Sequence, residues 1–415
     1  MKCRFCSEEL THEFVDLVNA PPSNSFLTRK QLNEPEIFFP LRLFVCDNCF
    51  LVQIDEYKKS DDIFNQEYAY FSSFSKSWLN HAKKYVEMIV NRMGLSAISN
   101  VVEIASNDGY LLQYFKEKQI PCLGIEPSAT TAQVAREKGV DTLEAFFGAD
   151  LAEKLSQNGK KADLIIGNNV LAHVPDINDF VKGLKLYLKS GGVVTMEFPH
   201  LMRLVEENQF DTIYHEHFSY FLFHTVRRIF AKHGMILFDV EELKTHGGSL
   251  RIYARHDDDD SKPVTSNVAE LLEKETARGM MELNYYCNFQ KKADKVKYAL
   301  LSFLLEQKKN GKKVVAYGAA AKGNTLLNYS GIKKDLISFV VDTSPHKQGM
   351  FMPANHIPVV SERRIREMQP DFVLILPWNI KDEIIDQLSY ISQWGGGFVV
   401  AVPELQIFAS QDYKN

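Results

Sequence analysis

The sequence lacks several kinds of segment that would mark it as secreted, membrane-bound or nucleic-acid binding. Residues 1–10 contain no apolar run of the kind found in secretory signals. No stretch of about 18 uncharged apolar residues is available to span a bilayer. No basic run occurs, and the net charge of −5 at neutral pH argues against a general nucleic-acid binder. We therefore expect a cytoplasmic protein, a monomer or weak homo-oligomer, with neither membrane nor nucleic acid as partner.

Cysteine is scarce, and its placement is informative. Four of the six cysteines form two pairs, Cys3 with Cys6 and Cys46 with Cys49. Four thiolates suit a tetrahedral zinc ion and leave no open position for catalysis, so a structural zinc site is predicted. Disulfides or a thioredoxin-like redox site are the alternatives. The missing signal argues against disulfides, and the redox motif normally comes as one pair beside a βαβ unit. Residues 38–45 alternate as a strand that leads into the second pair.

The 415 residues, 45% apolar and 24% charged, are enough for two or three domains with packed cores. Residues 76–93 have helical spacing of apolar side chains. A buried strand, Val101–Ile104, follows, then a tight turn over residues 105–109 and a new helix. This is the strand–loop–helix unit of a doubly wound sheet. The glycine-rich G-x-G-x-x-G is missing, because only Gly109 is present, so a pyrophosphate cradle is not expected here.

The next predicted strand ends in a carboxylate, Glu126, at the position where this type of fold binds a ribose diol. Further strands are predicted within residues 162–173, where the strand runs into polar residues, and after the Gly191–Gly192 turn. Together these segments resemble a class I S-adenosylmethionine-dependent methyltransferase. The predicted donor-binding residues are Glu103, Ala105, Asn107, Gly109, Glu126 and Asn168. A dehydrogenase-type Rossmann domain is the alternative, although the glycine fingerprint fails and a cationic sulfonium ligand favours acidic residues.

A second nucleotide-binding unit is predicted near the C-terminus. Residues 265–309 are polar with helical periodicity, and a strand at residues 313–317 then runs into Gly318. Small residues after this strand keep the backbone open, and Lys322 can reach an anion. This second Rossmann-like half suggests a second ligand with a nucleotide part, such as a sugar nucleotide. A purely structural α/β domain is the alternative.

The most informative stretch is Tyr-His-Glu-His at residues 214–217, flanked by aromatic residues. A core does not tolerate so much unpaired polarity, and a surface does not need the aromatic side chains. This mixture is what proton abstraction in a sheltered pocket requires, and histidine titrates near neutrality. We expect His217 to be the general base, which would form an enolate that attacks a sulfonium methyl group.

The order of these units resembles the sugar C-methyltransferases of bacterial deoxysugar biosynthesis. It consists of a four-cysteine module, a methyltransferase unit, the Tyr-His-Glu-His block, then His246-Gly-Gly-Ser-Leu-Arg251 and Tyr317-Gly-Ala-Ala-Ala-Lys-Gly-Asn. The resemblance implies a nucleotide-linked 4-keto-6-deoxy sugar, methylated beside its ketone, usually at C-3. It implies that S-adenosylmethionine is the methyl donor and that zinc is structural. An O- or N-methyltransferase, a dehydrogenase using the C-terminal fold, or a zinc-bearing scaffold are the alternatives.

The same resemblance implies roles for particular residues. The active-site set is His217, Glu216, Tyr214, His173 and Tyr70. The substrate-binding set is His246, Ser249, Arg251, Tyr317, Gly318, Lys322 and Asn324. The predicted domains are a zinc-binding module at residues 1–68, a methyltransferase domain at 69–240 and a C-terminal Rossmann-like domain at 241–415, all in an α/β protein.

Overall fold

Three β-sheets organise the chain, and the first is a small antiparallel sheet built mainly from the N-terminal region. The computed structural model describes residues 1–57, 71–157, 159 and 161–409. The strands of this sheet lie in the order β1 (His12–Ala20), β2 (Phe39–Val45), β3 (Val52–Ile54) and β9 (Ser219–Tyr220). The strand predicted before the second cysteine pair is confirmed as β2. The fourth strand, β9, comes from a distant part of the sequence.

The central sheet has seven strands and contains the predicted methyltransferase unit. Its order is β10 (Met235–Leu243), β11 (Ser249–His256), β8 (Leu188–Pro199), β7 (Ala162–Asn168), β4 (Val101–Ile104), β5 (Cys122–Ile125) and β6 (Thr142–Leu143). The five strands from β8 to β6 are parallel, whereas β10 and β11 are antiparallel to their neighbours. The strand order reverses at β4, since β5 lies on one side and β7 on the other. In such sheets ligands bind at the carboxyl ends of the strands beside this reversal.

The third sheet forms the predicted second Rossmann-like half. Its order is β14 (Val359–Val360), β13 (Val340–Val341), β12 (Val314–Tyr317), β15 (Phe372–Ile375), β16 (Gly397–Val400) and β17 (Gln406–Phe408). All strands are parallel except β17. The predicted α/β class with two Rossmann-like sheets is therefore confirmed. The β10–β11 hairpin of the central sheet crosses the predicted domain boundary at residues 240 and 241.

Helices cover the sheets, and their ends follow the local sequence. In the first helix, α1 (Lys76–Met93), the apolar side chains at helical spacing are buried. At its start the Ser75 hydroxyl accepts the Trp78 N–H at 3.2 Å, and at its end Gly94 has a φ of +63°. The helices are α1 (Lys76–Met93), α2 (Leu112–Glu117), α3 (Ala129–Glu137), α4 (Ala149–Gln157), α5 (Ile177–Tyr187), α6 (Leu201–Glu206), α7 (Phe223–Lys232), α8 (Ser266–Ala277), α9 (Phe289–Lys309), α10 (Ala321–Tyr329), α11 (Arg363–Met368) and α12 (Lys381–Gln387). Among these described helices, none combines the length and apolar character needed to cross a bilayer.

Short 3₁₀ turns connect several of these elements. They lie at Gln31–Asn33, Ser72–Phe74, Leu171–His173, Phe210–Thr212, Thr245–Gly247, Leu283–Tyr285, Trp378–Ile380 and Ser389–Trp394.

The helical region predicted at residues 265–309 is divided into two helices. Helix α8 ends at Ala277, and Gly279 has a left-handed φ of +74°, which does not continue an α-helix. The Tyr286 hydroxyl donates to the Met280 carbonyl at 2.8 Å and stabilises the connection to α9. Helical periodicity continues across this break, which explains why the pattern alone does not reveal it.

The N-terminal sheet holds the end of the Tyr-His-Glu-His block. Strand β9 begins two residues after His217 and pairs with β3, so that Tyr220 lies opposite Val52. The Phe218 carbonyl also accepts the Ile54 N–H at 3.2 Å. The backbone that leaves the block is therefore part of the N-terminal sheet. The hydrophobic core is continuous across this junction and reaches the C-terminal sheet.

The four N-terminal thiols converge as a metal site requires. Their sulfur atoms all lie within 4.8 Å of one another, with Cys3–Cys49 and Cys6–Cys46 at 3.5 Å and Cys6–Cys49 at 3.7 Å. Tetrahedral zinc with bonds of about 2.3 Å places its sulfur ligands about 3.8 Å apart, so the residues fit the ion. The Gln53 amide donates to Cys3 Sγ at 3.3 Å, a contact of the kind that orients metal ligands. The cluster fits the predicted structural zinc.

Replacing one of these thiols should unload the site. We expect Cys46→Ser to lower the zinc content from about one ion per chain towards zero and to reduce the free energy of unfolding by several kcal/mol. Elemental analysis and denaturant titration measure the two effects. Cys287→Ser is the matched control, because Cys287 is exposed and lies outside the cluster. Full zinc occupancy in Cys46→Ser would contradict the assignment.

Candidate active site

His217 is held in a defined orientation and protonation state by its neighbours. Its Nδ1 lies 3.0 Å from the Thr212 carbonyl oxygen, and its Nε2 lies 2.9 Å from the Tyr214 hydroxyl. A carbonyl can only accept, so Nδ1 carries the proton and donates it. The lone pair of Nε2 is therefore free to accept the hydrogen bond of Tyr214. Since both His217 and Tyr214 line the same cavity, this lone pair lies beside the space for a substrate.

The environment keeps His217 neutral. Burial lowers the pKa of its imidazole well below the usual range, and the nearby His173 ring lowers that pKa further. The two rings are 4.7 Å apart between centroids. Burial also lowers the pKa of His173 to about 4. Both imidazoles are therefore uncharged at neutral pH, which is the state in which His217 can take up a proton.

Glu216 lies beside the base, with both its peptide and its side chain held. His173 Nδ1 donates to the Glu216 carbonyl oxygen at 2.8 Å. The Asn24 amide donates to Glu216 Oε1 at 2.7 Å from the N-terminal region. All three residues line the cavity. The hydrogen bonds that orient His217, in contrast, come from Thr212 and Tyr214.

His215 has a different role from its neighbours in the block. Its Nε2 donates to the Pro40 carbonyl at 3.2 Å, and its ring packs edge-on against Phe39 and Tyr57. These partners belong to the N-terminal region. His215 therefore attaches the block to the first sheet, while His217 faces the cavity.

One cavity of about 680 Å³ connects the three predicted groups of site residues. Its walls come from the carboxyl ends of the central strands, the Tyr-His-Glu-His block and the start of α10. A volume of this size can hold a ligand larger than a single small metabolite. Of the predicted site residues, those that line the cavity are Ala105, Asn107, Glu126, Asn168, His173, Tyr214, Glu216, His217, His246 and Lys322.

The predicted donor end of the cavity is formed by the loop after β4. Asn107 adopts a left-handed φ of +48°, and its N–H donates to Glu126 Oε2 at 2.9 Å. Ser128 N–H donates to Glu126 Oε1, also at 2.9 Å. Burial raises the pKa of the Glu126 carboxyl, and these two donors oppose the rise. A carboxylate retains further lone pairs for a diol after accepting two backbone bonds.

Two predicted donor-binding residues lie behind this wall. Glu103 is fully buried in β4, and burial raises the pKa of its carboxyl well above the usual range. Gly109 has φ of +75°, and a Cβ there would lie 3.1 Å from Val140 Cγ2. Among the described residues neither is part of the cavity lining. Glu103 and Gly109 therefore affect the conformation of the loop after β4 and do not line the cavity themselves.

Lys322 supplies a buried cation at the opposite end. Its Nζ donates to Asn379 Oδ1 at 2.6 Å and lies 4.5 Å from the centre of the Trp378 ring. Trp378 Nε1 donates in turn to Asp211 Oδ2 at 2.8 Å. Burial lowers the pKa of Lys322, and the nearby Asp211 opposes this. Burial raises the pKa of Asp211 to about 6, and Lys322 opposes that rise.

The other predicted substrate-binding residues of the C-terminal unit face away from the cavity lining. The Tyr317 hydroxyl accepts from Gln387 Nε2 at 2.9 Å. Gly318 has φ of +90°, and a Cβ there would meet Pro377 Cδ at 2.4 Å. The Asn324 amide donates towards the Ser23 carbonyl at 3.5 Å. These contacts stabilise the strand-to-helix turn that presents Lys322.

The His246-Gly-Gly-Ser turn contributes one residue to the cavity. His246 has a left-handed φ of +53°, and its Nε2 lies 3.1 Å from Asn169 Nδ2. Burial lowers the pKa of His246 to about 4. Ser249 donates to the Thr245 carbonyl at 3.0 Å, and buried Arg251 pairs with Glu197 at 3.1 Å. Ser249 and Arg251 thus brace the turn, whereas His246 faces the cavity.

Tyr70, predicted for the active site, lies outside the described residues. The cavity also contains residues that the sequence patterns do not indicate, such as Asn24, Trp78, Asn169, Lys347 and Asn379. Trp78 could have been found only as one apolar position of α1. The others lie in turns without a recognisable motif.

Three family models match the chain in succession. A zinc binding domain matches residues 3–64, a methyltransferase domain matches residues 78–239, and the C-methyltransferase C-terminal domain matches residues 244–403. The first match contains the cysteine cluster, the second the donor loop and the third Lys322. The predicted methyl donor, S-adenosylmethionine, and the predicted structural zinc agree with these matches.

Two relatives match the chain over very different lengths. The C-methyltransferase NovU of Streptomyces niveus is 33% identical over 410 residues, covering 99% of this chain and 97% of the relative. An ubiquinone biosynthesis O-methyltransferase of a Chelativorans species is 30% identical over 95 residues, covering 23% of this chain and 38% of the relative. Similarity thus extends over the full length with a C-methyltransferase and over one segment with the O-methyltransferase.

Solved structures match one part of the chain. An S-adenosylmethionine-dependent methyltransferase from Clostridium acetobutylicum has a TM-score of 0.35 and 12% identity, covering 43% of this chain and 92% of that one. The magnesium protoporphyrin IX methyltransferase from Synechocystis has a TM-score of 0.34 and 16% identity, and the match covers 42% of this chain and 81% of that one.

The predicted order of zinc-binding module, methyltransferase domain and Rossmann-like C-terminal unit is therefore the order in which the family models match. The full-length relative supplies the type of reaction, since methyl transfer to carbon is what its name states. This chain belongs to the S-adenosylmethionine-dependent C-methyltransferase family.

Proposed function

We propose that this C-methyltransferase acts on a nucleotide-diphosphate-linked 4-keto-6-deoxy sugar and methylates the carbon beside the ketone, at C-3. The observation that carries the proposal is the neutral His217, whose Nε2 lone pair lies in one cavity with the donor loop and Lys322. Methyl transfer to an unactivated carbon is not feasible, but a carbon next to a ketone becomes a nucleophile when its proton is removed. A base positioned at the cavity is what that reaction requires.

The base would act first. His217 Nε2 would take the α-proton of the keto-sugar, and the electron pair of the broken C–H bond would form an enolate. The imidazolium formed keeps its Nδ1 hydrogen bond to the Thr212 carbonyl. The Tyr214 hydroxyl, 2.9 Å from Nε2, would first release the Nε2 lone pair to the substrate and turn its O–H to the oxygen on which the enolate charge develops.

The two ends of the cavity would hold the two ligands. Bound S-adenosylmethionine supplies an electrophilic methyl group on its sulfonium. Glu126 would accept hydrogen bonds from its ribose hydroxyls, and Asn107 and Asn168 would line its site. The enolate carbon would then form a bond to the methyl group, while the methyl–sulfur bond breaks and its electron pair stays on the sulfur, which becomes a neutral thioether.

The C-terminal end would bind the nucleotide diphosphate. Ala320 and Ala321 at the start of α10 line the cavity, and the first N–H groups of a helix favour an anion. Lys322 adds a positive charge at the same helix start. Lys347 also lines the cavity and supplies a second cation, whose Nζ donates to the Ala319 carbonyl at 2.8 Å and lies 3.8 Å from Asp342. Two cations and a helix N-terminus suit a diphosphate better than a neutral substrate.

Exchange of the α-proton distinguishes methyl transfer to carbon from transfer to oxygen or nitrogen. In heavy water, with the methyl donor replaced by its demethylated product, we expect the enzyme to incorporate deuterium beside the ketone, because His217 can form the enolate alone. Mass spectrometry over a panel of nucleotide 4-keto-6-deoxy sugars measures the exchange and, with the donor present, the methylated product. The same sugars with a reduced C-4 serve as controls. Methylation of a hydroxyl or amine without exchange would contradict the proposal.

Removing the imidazole of His217 should slow both the exchange of the α-proton and the methyl transfer. We expect His217→Ala to lower turnover about 10²- to 10⁴-fold, the usual effect of losing a general base. Donor affinity, measured by calorimetry, should stay unchanged, because the predicted donor contacts are made by Glu126, Asn107 and Asn168. His12→Ala is the matched control, since His12 is an exposed residue of the first sheet. A His217→Ala enzyme with normal exchange would exclude His217 as the base.

The pH dependence of the reaction should reflect the buried imidazole. Because burial lowers the pKa of His217 well below 6.5, the neutral form that accepts a proton persists below that pH. We therefore expect kcat/KM to remain constant as the pH falls from neutrality through 6.5 and to decline only at lower pH. A pH–rate profile, with circular dichroism at each pH as a control for folding, tests this. An acid limb with its midpoint at or above 6.5 would disagree with it.

A further inference from the structure

A loop of the zinc-binding module enters the active site. Asn24 lies between β1 and β2, in a turn where the Ser25 N–H donates to the Pro22 carbonyl at 3.1 Å and the Phe26 N–H donates to the Asn24 carbonyl at 2.9 Å. Its side chain lines the cavity. The sequence indicates only an architectural module here, so a direct contribution to the site is unexpected.

The loop is fixed to the C-terminal unit on both sides of Asn24. On one side, the Ser23 carbonyl is approached by the Asn324 amide at 3.5 Å. On the other side, Leu27 and Phe351 exchange two backbone hydrogen bonds of 2.9 and 2.8 Å. The backbone of Asn24 is therefore held between two anchors. A side chain on such a backbone can hold a partner in one orientation.

The partner of Asn24 is the carboxylate of Glu216. The Asn24 Nδ2 donates to Glu216 Oε1 at 2.7 Å, a short distance for an amide and typical of a bond to a charged acceptor. Glu216 is 4% exposed, and its peptide carbonyl is held by His173 at 2.8 Å. The backbone and the carboxylate of Glu216 are thus fixed by two different parts of the chain.

We infer that Asn24 is a positioning residue for methyl transfer, which holds the Glu216 carboxylate in the orientation that meets the substrate beside His217. The inference rests on the proposed function, and it assigns Glu216 to the acceptor because Glu216 lines the cavity next to His217. A carboxylate can accept about four hydrogen bonds, so one that binds the Asn24 amide can still accept a further bond from a hydroxyl or amine of the acceptor. Holding it before the substrate arrives avoids a loss of side-chain entropy during the reaction.

The zinc-binding module would then have two roles. It supports β9, which continues from the block, and it supplies the donor that orients Glu216. The second role acts at the substrate and leaves the donor end of the cavity untouched.

A double-mutant cycle tests this coupling. We expect Asn24→Ala to lower kcat about 10- to 100-fold, the range for losing a hydrogen bond to a charged group. Asn24→Asp should lose more, because two carboxylates would face each other. Donor affinity, zinc content and the melting temperature should match those of the wild type. The double variant N24A/E216Q should be no slower than Glu216→Gln alone, since Asn24 acts through Glu216.

Asn33→Ala is the matched control, because Asn33 is an exposed residue of the same module. Turnover of Asn24→Ala within twofold of the wild type, or losses that multiply in the double variant, would overturn the inference. A fall in melting temperature or zinc content equal to that of Cys46→Ser would also overturn it, by showing a structural role.

If the wild type methylates a different acceptor and leaves keto-sugars unchanged, the proposed substrate fails. The cycle is then measured on that acceptor, with the same outcomes deciding the role of Asn24.

Discussion

The pairing of β9 with β3 is the constraint on which the active site depends. It makes the segment after His217 a strand of the N-terminal sheet, so the catalytic block cannot move independently of the zinc-binding module. His215 strengthens this attachment through the Pro40 carbonyl. The His217 N–H donates to the Tyr214 carbonyl at 3.0 Å, so the block forms a tight turn. In this turn His215 packs against the module, whereas Tyr214, Glu216 and His217 line the cavity. A short backbone pairing thus helps to determine which histidine of the block faces the cavity.

The electrostatic design of the cavity is consistent with carbon methylation. His173, His217 and His246 are half-buried, and desolvation lowers the pKa of each imidazole, so all three are neutral at pH 7. A cationic donor therefore meets no protonated imidazole on its approach. The fixed positive charge of Lys322 lies at the far end, partly balanced by Asp211. The charge that does develop, on an enolate, would form between these two ends.

The sequence predicts those parts of the site that are local in the chain. Strand β4 is apolar at three of its four positions, and the turn after it contains residues that line the predicted donor end, such as Asn107. The four-cysteine metal site could also be predicted from the sequence, because paired thiols have a characteristic spacing. Arg251 shows the opposite case, since its motif is clear but its side chain pairs with Glu197 and leaves the cavity to His246.

Residues that meet only through the tertiary fold could not be predicted. Asn24 and Glu216 are 192 positions apart, and the turn that contains Asn24 has no motif of its own. Asp211 and Trp378 are separated by 167 positions, and their hydrogen bond is equally invisible in the sequence. Periodicity also failed at Gly279, because a helix break does not interrupt a pattern that resumes in phase. These features depend on the packing of whole sheets, which local propensity does not encode.

The shared cavity has a consequence for how such an enzyme can diversify. Its wall includes the Asn24 turn, the strands of the central sheet and the start of α10, so all three regions contribute side chains to a single space. A zinc-binding module from another enzyme could not simply replace this one. Its turn would have to form the hydrogen bond to Glu216 and the backbone pairing with Phe351. Changes of acceptor are therefore expected to arise from substitutions spread over all three regions and inherited together.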